Sequence, residues 1–374
     1  MVKYKFKDIA INSTLKKKPV EDDKYHYIGL EHLDSGSLQV TRYGSEVAPK
    51  GEKLIMKKGD VLFGKRRAYQ KKVGIAPFDG IFSAHGMVLR PKEDVVDKDF
   101  FPLFINSDYF LDAAIKISVG SLSPTINWGD LKELEFELPG LDEQRKLAKI
   151  LWAAEETKQA YKTLLQKTDE LVKAKFEEMF FNKKEEYPSR KVKDLFTLQM
   201  GKTPSRSNLS LWDSADFKWI TVADMSNYSL YTEDTKEKIS KKAVQTTGIK
   251  IVPQNTVIMS FKLSIGKVAI TSEDIYTNEA IMAFLIKNKK QINNMFLKYY
   301  LSFNNWNDAM NIAVKGMTLN KETLNEIDFL LPSLQIQNEF VNFAQQAEKS
   351  KQQLQKSLDS LNDIMRALIN ENLK

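Results

Sequence analysis

The sequence predicts an α/β protein of two globular halves, each of mixed β-strands and helices, joined by two long antiparallel coiled-coil helices with an internal pseudo-two-fold. Three observations lead there. Residues 139–179 lie over residues 332–372 without a gap, at a constant shift of 193. Residues 142–181 contain neither Gly nor Pro. The segments between are short β-branched and aromatic runs set off by Gly, Asp and Pro. A repeat this long exceeds solenoid periods of about 20–50 residues, so it marks two copies of a whole unit. The expected organisation is a first globular domain over 1–141, a helix over 142–181, a linker with a second globular domain over 182–334, and a second helix over 335–374.

In chain order, KYHYIGL (24–30), GDVLFG (59–64), KVGIA (72–76) and GIFSAHGMVLR (80–90) read as strands of the first half. A helix is expected over 99–115. FKWITV (217–222), NTVIMSF (255–261), GKVAI (266–270) and DIYTNEAIMAFLIK (274–287) are the strands of the second half, followed by a helix over 294–312. Here the register drifts: Val61 matches Val257 and Val73 matches Val268. LEFELP and IDFLLP are short strand-like runs ending at Pro139 and Pro332, which punctuate the approach to each helix. Asp142 is the expected N-cap, and NKKEEYPSR (182–190) reads as the linker.

A Gly- and Pro-free helix over 142–181 would be about 60 Å long. Leu147, Leu151, Ala154, Lys158, Tyr161, Leu165, Thr168 and Val172 alternate steps of four and three. Their counterparts are Phe340, Ala344, Ala347, Lys351, Leu354, Leu358, Leu361 and Met365, continuing to Leu368. This is the seam of a coiled coil, and a Lys interrupts it at the same place in both copies. Each helix could instead cover only its own domain. The matched stripes and the length favour mutual packing.

Composition narrows the function. The chain has 374 residues, more than one ordinary core, and no Cys, which removes disulfides, thiolate metal sites and a Cys nucleophile. No run approaches a membrane span, and MVKYKFKDIAINS lacks a signal-type apolar core. A reducing cytoplasm is expected. Of the formal charge of +7, residues 1–141 carry 22 basic against 20 acidic side chains, and 187–334 carry 19 against 14. The excess sits on the globular halves, which suits a polyanion, although +7 is also an ordinary solubility charge.

Catalytic motifs are missing. MGKTPSR lacks the upstream Gly of a phosphate loop, since position 196 is Phe, and Pro204 would sit in the helix start. His26, His32 and His85 have no metal-ligand spacing. His32 beside Glu31 reads as surface, and His85, in a predicted strand, reads as structural rather than ligand-binding. What remains is basic. KRRAYQKK places Lys65, Arg66, Arg67, Lys71 and Lys72 around Tyr69. The equivalent stretch SFKLSIGKV offers Lys262 and Lys267, and GKTPSRSN adds Lys202, Ser205 and Arg206. Such a loop can be merely solvated. Its recurrence in the second copy favours DNA, where Arg reads guanine edges and Lys and hydroxyls grip phosphates.

These residues resemble the specificity (S) subunits of type I restriction-modification systems. GKTPSRSNLSLWDSADFKWITVADMS, KISKKAV, VPQNTVIMSFKLSIGKVAI and YTNEAIMAF resemble a target-recognition domain, and GSLSPTINWGDLKELEFELPGLDEQRKLAKIL resembles its exit and central helix. The likeness covers essentially the whole chain. The sequence departs from the pattern in three places: INSTLKKKP lacks a Thr-Pro-Ser opening, Ile336-Gln337 replaces Glu-Gln, and Gly316-Met317-Thr318 replaces the Gly120-Ser121 type. The resemblance implies a non-catalytic protein with two target-recognition domains, each reading half of a bipartite asymmetric site in double-stranded DNA. It implies two methylation subunits docked on the helices and two restriction subunits beyond. S-adenosylmethionine, ATP and Mg would belong to those partners, with none in this chain. The competing readings are an enzyme in its own right, a coiled-coil protein-interaction scaffold, and a DNA-binding protein outside restriction-modification.

Overall fold

In the computed structural model, which describes residues 1–262, 264–306 and 319–373, each half is closed by its own first and last strands. Val2–Lys5 runs antiparallel to Glu135–Leu138, the run before the first long helix. Ser189–Lys191, inside the expected linker, makes the same pair with Asp328–Leu330. Neither opening strand was expected from the sequence. Each is short and charged, and its partner lies far along the chain.

Between these closures the first half carries two four-stranded sheets. One has the order Ala10–Ser13, Met87–Pro91, Val61–Phe63, Val73–Ile75 and is antiparallel throughout. The other has the order Lys16–Lys17, Lys53–Met56, Gly80–Phe82, Tyr27–Ile28, with the last pair parallel. The second half repeats the first sheet as Phe196–Met200, Ile281–Ile286, Val257–Ser260 and Val268–Ile270. Its other sheet has three strands, Glu237–Ile239, Phe217–Ile220 and Tyr276–Thr277, again with one parallel pair. Apolar side chains pack on both faces of these sheets, as in α/β layers.

Several expected elements break where a local hydrogen bond competes with the regular ladder. The strand expected over 24–30 shrinks to Tyr27–Ile28. Glu21–His26 turns as a 3-10 helix because Asp23 Oδ2 accepts from Val20 N at 2.8 Å. The runs 80–90 and 274–287 each split into two strands that enter different sheets. Gly86 N donates to Ser83 O at 3.1 Å in one break, and Ile281 N donates to Asn278 O at 3.2 Å in the other. The helix over 99–115 is two helices, Phe101–Ile105 and Asp108–Lys116, because Ser107 Oγ caps the second by accepting from Phe110 N at 3.2 Å. In the second half Asn294–Phe303 is helical, and residues 307–312 of that expectation lie outside the described residues.

The long helices are Leu141–Phe176 and Leu334–Asn372, of 36 and 39 residues, the first prolonged by a π-helical turn Glu177–Phe181. Asp142 is not the N-cap. Gln144 N bonds Gly140 O at 3.0 Å, so Gly140 holds that position and Asp142 lies in the first turn, where its charge suits the helix dipole. In the second helix Gln337 N bonds Ser333 O at 3.0 Å.

The seam is as spaced: Leu147, Leu151, Ala154, Tyr161, Leu165, Val172, Phe340, Ala344, Ala347, Leu354, Leu358, Leu361 and Met365 are all buried or half-buried. Ile150, Leu164, Leu171 and Ile364, off the seam, are exposed. Two compact units arise, Met1–Thr163 with Leu354–Lys374, and Leu164–Gln353, so the boundary falls inside both helices. In the first unit Leu147 and Leu151 share a core with Met365, Leu368, Leu373 and the first half's Phe104 and Phe136. In the second, Val172, Phe176 and Phe180 share one with Phe340, Ala344, Phe296 and Phe329. Within each unit, low numbers on one helix meet high numbers on the other, which is antiparallel packing. The interrupting lysines are satisfied by a shared device. Lys158 Nζ pairs with Glu155 at 2.6 Å, and Lys351 Nζ pairs with Glu348 at 3.6 Å and Asp169 at 2.6 Å. Among the described residues no helix is long and apolar enough to cross a membrane.

One buried amide fastens each helix to its globular half. Gln144, 1 % exposed, donates through Nε2 to Pro139 O at 2.8 Å and Val95 O at 3.1 Å, and its Oε1 accepts from Asp97 N at 2.8 Å. Gln337, 0 % exposed, repeats the set. Its Nε2 donates to Pro332 O at 2.8 Å and Gln291 O at 2.9 Å, and its Oε1 accepts from Asn293 N at 2.9 Å. A buried backbone group left without a partner costs roughly 1–3 kcal/mol. Gln144→Leu or Gln337→Leu, which keep the volume and strand three such groups, should each lower unfolding free energy by about 2–4 kcal/mol in urea titrations. A change of under about 0.5 kcal/mol, the scale of an ordinary surface substitution, would contradict the clamp.

Candidate nucleic-acid interface

The basic loop of the first half is carried by the hairpin Val61–Phe63 and Val73–Ile75. Its base is braced by a buried carboxylate. Asp60 accepts from Arg90 Nε at 2.6 Å and Nη2 at 2.8 Å, and from Lys57 N at 2.7 Å. This bidentate pair ties the hairpin to the adjacent strand. The loop closes with Gly64 N on Lys72 O at 2.9 Å. Within it a 3-10 turn, Ala68–Gln70, is flanked by Arg67 at φ 54° and Lys71 at φ 48°. Left-handed backbone at two residues with Cβ atoms is uncommon and sets the direction in which each side chain leaves.

The loop's cations divide into two sets. Lys71 pairs with Asp108 and Asp112, both at 2.7 Å, and with Asp108 lines a cleft of about 550 Å³ whose far wall includes Glu155, Lys158 and Arg366. Lys72 Nζ donates to Leu30 O at 2.6 Å. These two hold the loop down. Lys65, Arg66 and Arg67 have no carboxylate partner among the described residues. Arg66, Arg67 and Tyr69 are exposed, and Lys65 is half-buried.

Two further cations, Lys16 and Lys53, and the imidazole of His85 join them through the fold. His85 is exposed in the turn between Gly80–Phe82 and Met87–Pro91 instead of inside a strand, with Nε2 3.5 Å from an Arg66 Nη. Partial burial, then Arg66, Lys65 and Lys53, hold its imidazole below the ordinary 6.5. Burial and Lys16 likewise lower the Lys65 ammonium below 10.5. Lys16, Lys53 and His85 were not legible as members of a site, because sheet pairing alone brings positions 16, 53, 65 and 85 together. A set of mutually repelling cations is a ready anion site.

The second half uses its cations differently. Lys267 Nζ donates to Ser226 Oγ and lies 3.4 Å from Val222 O. Lys262 lies over the Phe261 ring at 5.3 Å. Lys202 Nζ donates to Thr247 O. Arg206 is bidentate to Glu237, with one contact at 2.9 Å, and stacks on Trp212 at 3.9 Å and Trp219 at 5.0 Å. The Glu237 bond consequently raises the guanidinium above its ordinary range. Ser205 is exposed, with Oγ 2.9 Å from Ser207 Oγ. Gly201 is required by close approach, since a Cβ there would lie 2.2 Å from Thr277 O. No helix of phosphate-loop type follows it, only a 3-10 turn at Leu209–Leu211. Among the described residues no cluster of His, Asp or Glu could hold a metal ion. Gly316-Met317-Thr318 lie outside the described residues.

Comparison with known proteins follows the same two-fold division. The type I restriction modification DNA specificity domain matches residues 1–168 and again 184–362. The specificity subunit of the type I restriction enzyme MjaIX of Methanocaldococcus jannaschii is 28% identical over 148 residues, 38% of this chain and 34% of that one. The specificity subunit of HindI of Haemophilus influenzae is 25% identical over 152 residues, 39% and 32%. In these two cases the match spans about a third of the relative's length. A putative MjaX specificity subunit of M. jannaschii is 24% identical over 335 residues, 79% and 73%. A chain from a structure of a type I R-M system superposes with a TM-score of 0.63 at 16% identity, covering 99% of this chain and 97% of that one. The S subunit from M. genitalium gives 0.55 at 14%, covering 100% and 96%. The fold is shared with both.

The lowered His85 has a pH consequence of definite sign. Its folded value lies below 6.5, so its contribution to stability is full above pH 6.5 and is lost as pH falls through the folded value. Imidazole NMR should show His85 titrating below 6.5. Arg66→Ala should move it up towards 6.5, and an added polyanion should also raise it. A His85 that ignores both changes would remove it from the neighbourhood of the cationic loop.

Proposed function

The chain belongs to the type I restriction modification DNA specificity family, and from that premise we propose that each globular half reads one half of a bipartite, asymmetric site in double-stranded DNA. The observation that carries this reading is the set Lys65, Arg66 and Arg67, unpaired with carboxylates on a braced hairpin whose counterpart recurs in the second half. Arg66 and Arg67 would meet base edges, and Lys16, Lys53 and Lys65 would meet phosphates. In the second half Lys202, Ser205, Arg206, Lys262 and Lys267 would act from the same face. Arg206, stiffened by two indoles and Glu237, would present a fixed donor set or buttress the loop beside it.

The chain itself would carry out no chemistry. It would place two methylation subunits, docked along the long helices, over one adenine in each half-site, with two restriction subunits beyond. S-adenosylmethionine, ATP and Mg would be held by those partners, in the cytoplasm. Helices of 36 and 39 residues are about 54 and 58 Å long. One turn of DNA is about 34–36 Å, so two heads on such a stem could address successive major grooves. The Gln144 and Gln337 clamps would make that spacing rigid.

Full-length chain should bind duplex DNA with a steep negative dependence on salt, and adenine methylation should need both this chain and a methylation subunit. A flat salt response would favour a protein-interaction scaffold, and methylation by this chain alone an enzyme. Arg66→Ala with Arg67→Ala should weaken binding about ten- to a hundredfold through the first half-site while leaving the second unchanged. Equal loss at both, or none, contradicts the assignment. Lengthening both helices in step by a few residues should widen the spacer between unchanged half-sequences. Altered bases would end the idea of a ruler.

A further inference from the structure

Beside the cationic loop stands a second loop that the charge argument does not use. Val119 and Thr125 exchange both backbone hydrogen bonds, N to O at 3.0 Å and 2.9 Å, and so close a five-residue tip, Gly120 to Pro124. Gly120 has φ +112°, a conformation that excludes ordinary side chains, so the turn is fixed by its residue type. Thr125 Oγ1 donates to Ser123 O at 3.0 Å inside the tip. The same segment is tied directly to the basic loop. Thr125 forms a bridge with Arg66, Ile126 N donates to Lys65 O at 2.9 Å, and Ala68 N donates to Pro124 O at 3.2 Å.

This braced tip holds out Leu122, which is 92% exposed. Single exposed apolar residues are ordinary on a protein surface. Leu122 is unlike them in being carried on a loop closed at its base, pinned by three backbone contacts to the loop that bears the unpaired cations, at Lys65, Arg66 and Ala68. An apolar group fixed among base-reading and phosphate-reading side chains has one apolar feature to meet in the major groove, the C5-methyl of thymine.

We propose that Leu122 is a specificity-determining residue that reads a thymine methyl in the first half-site, next to the base pairs approached by Arg66 and Arg67. The proposal rests on the DNA reading given above. Its reach is limited to one half. Five residues separate Gly120 from Ile126, whereas two separate Gly316 from Leu319. The second copy's sequence is thus three residues shorter at this place, and the proposal is made for the first half alone.

The test is selection from a random-sequence duplex library by full-length chain assembled with its methylation partner, for wild type, Leu122→Ala and Leu122→Met. Wild type should require a thymine at one position of one half-site, and uracil there, which lacks only the methyl, should weaken binding about three- to tenfold. Leu122→Ala should lose that preference and become indifferent to uracil, with the second half-site unchanged. Leu122→Met should keep it. An unchanged preference in Leu122→Ala, or loss spread over both half-sites, overturns the proposal while leaving the DNA reading intact. Wild type that selects no sequence at all overturns the DNA reading, and this proposal with it.

Discussion

The architecture hangs on an amide buried at the start of each long helix. Gln144 and Gln337 each satisfy three backbone groups, from the strand run before the helix and from the loop ahead of the half's own helices. A side chain with both donor and acceptor is needed, because one target is an N–H and two are carbonyls. Glutamate could accept from the first but could not donate to the others. Each globular half is thereby held to its helix at a fixed angle by hydrogen bonds shielded from water. The aromatic cores around Phe136 and Phe329, on the strands that lead into these helices, add the bulk of the packing.

Charge is arranged unequally across the repeat. In the second half the basic residues singled out by the sequence are engaged by the chain's own carbonyls, hydroxyls, rings and Glu237. In the first, Lys71 and Lys72 are engaged while Lys65, Arg66 and Arg67 have no carboxylate partner among the described residues. Positions that agree in topology therefore differ in how much positive potential they leave open. Two halves built on one plan can present different chemistry without altering the plan.

The stem was the most legible part of the sequence, because its signal is local. A 3.5-residue seam needs no knowledge of distant partners, and every seam position is buried or half-buried as its spacing requires. The hairpin strands were legible for the same reason. Val2–Lys5 and Ser189–Lys191 were hidden because short charged strands gain their identity only from partners 130 or more residues away. The run 80–90 looked like one strand because apolar composition cannot say which sheet each residue joins. The Ser83–Gly86 turn decides it. That turn also takes His85 out of the expected strand and leaves it exposed. Asp142 was mistaken for a cap because Gly140, which has no side chain to advertise the role, holds it. Of the site, the loop KRRAYQKK was visible, but the division of its cations was not, since Asp108, Asp112 and Leu30 O lie in segments that only folding brings near.

The boundary that cuts both long helices has a consequence for how the chain is made. The unit Leu164–Gln353 is continuous and can complete its core once those residues have emerged. The unit holding residues 1–163 cannot, because it is closed by Leu354–Lys374, and Leu373, 3% exposed, sits in its core with Leu147 and Leu151. That half therefore completes its core only when residues 354–373 add to the cover that Phe104 and Phe136 already give Leu147 and Leu151. Removing the helical turns that carry Leu368 and Leu373 would therefore injure the domain that lies farthest from them in sequence.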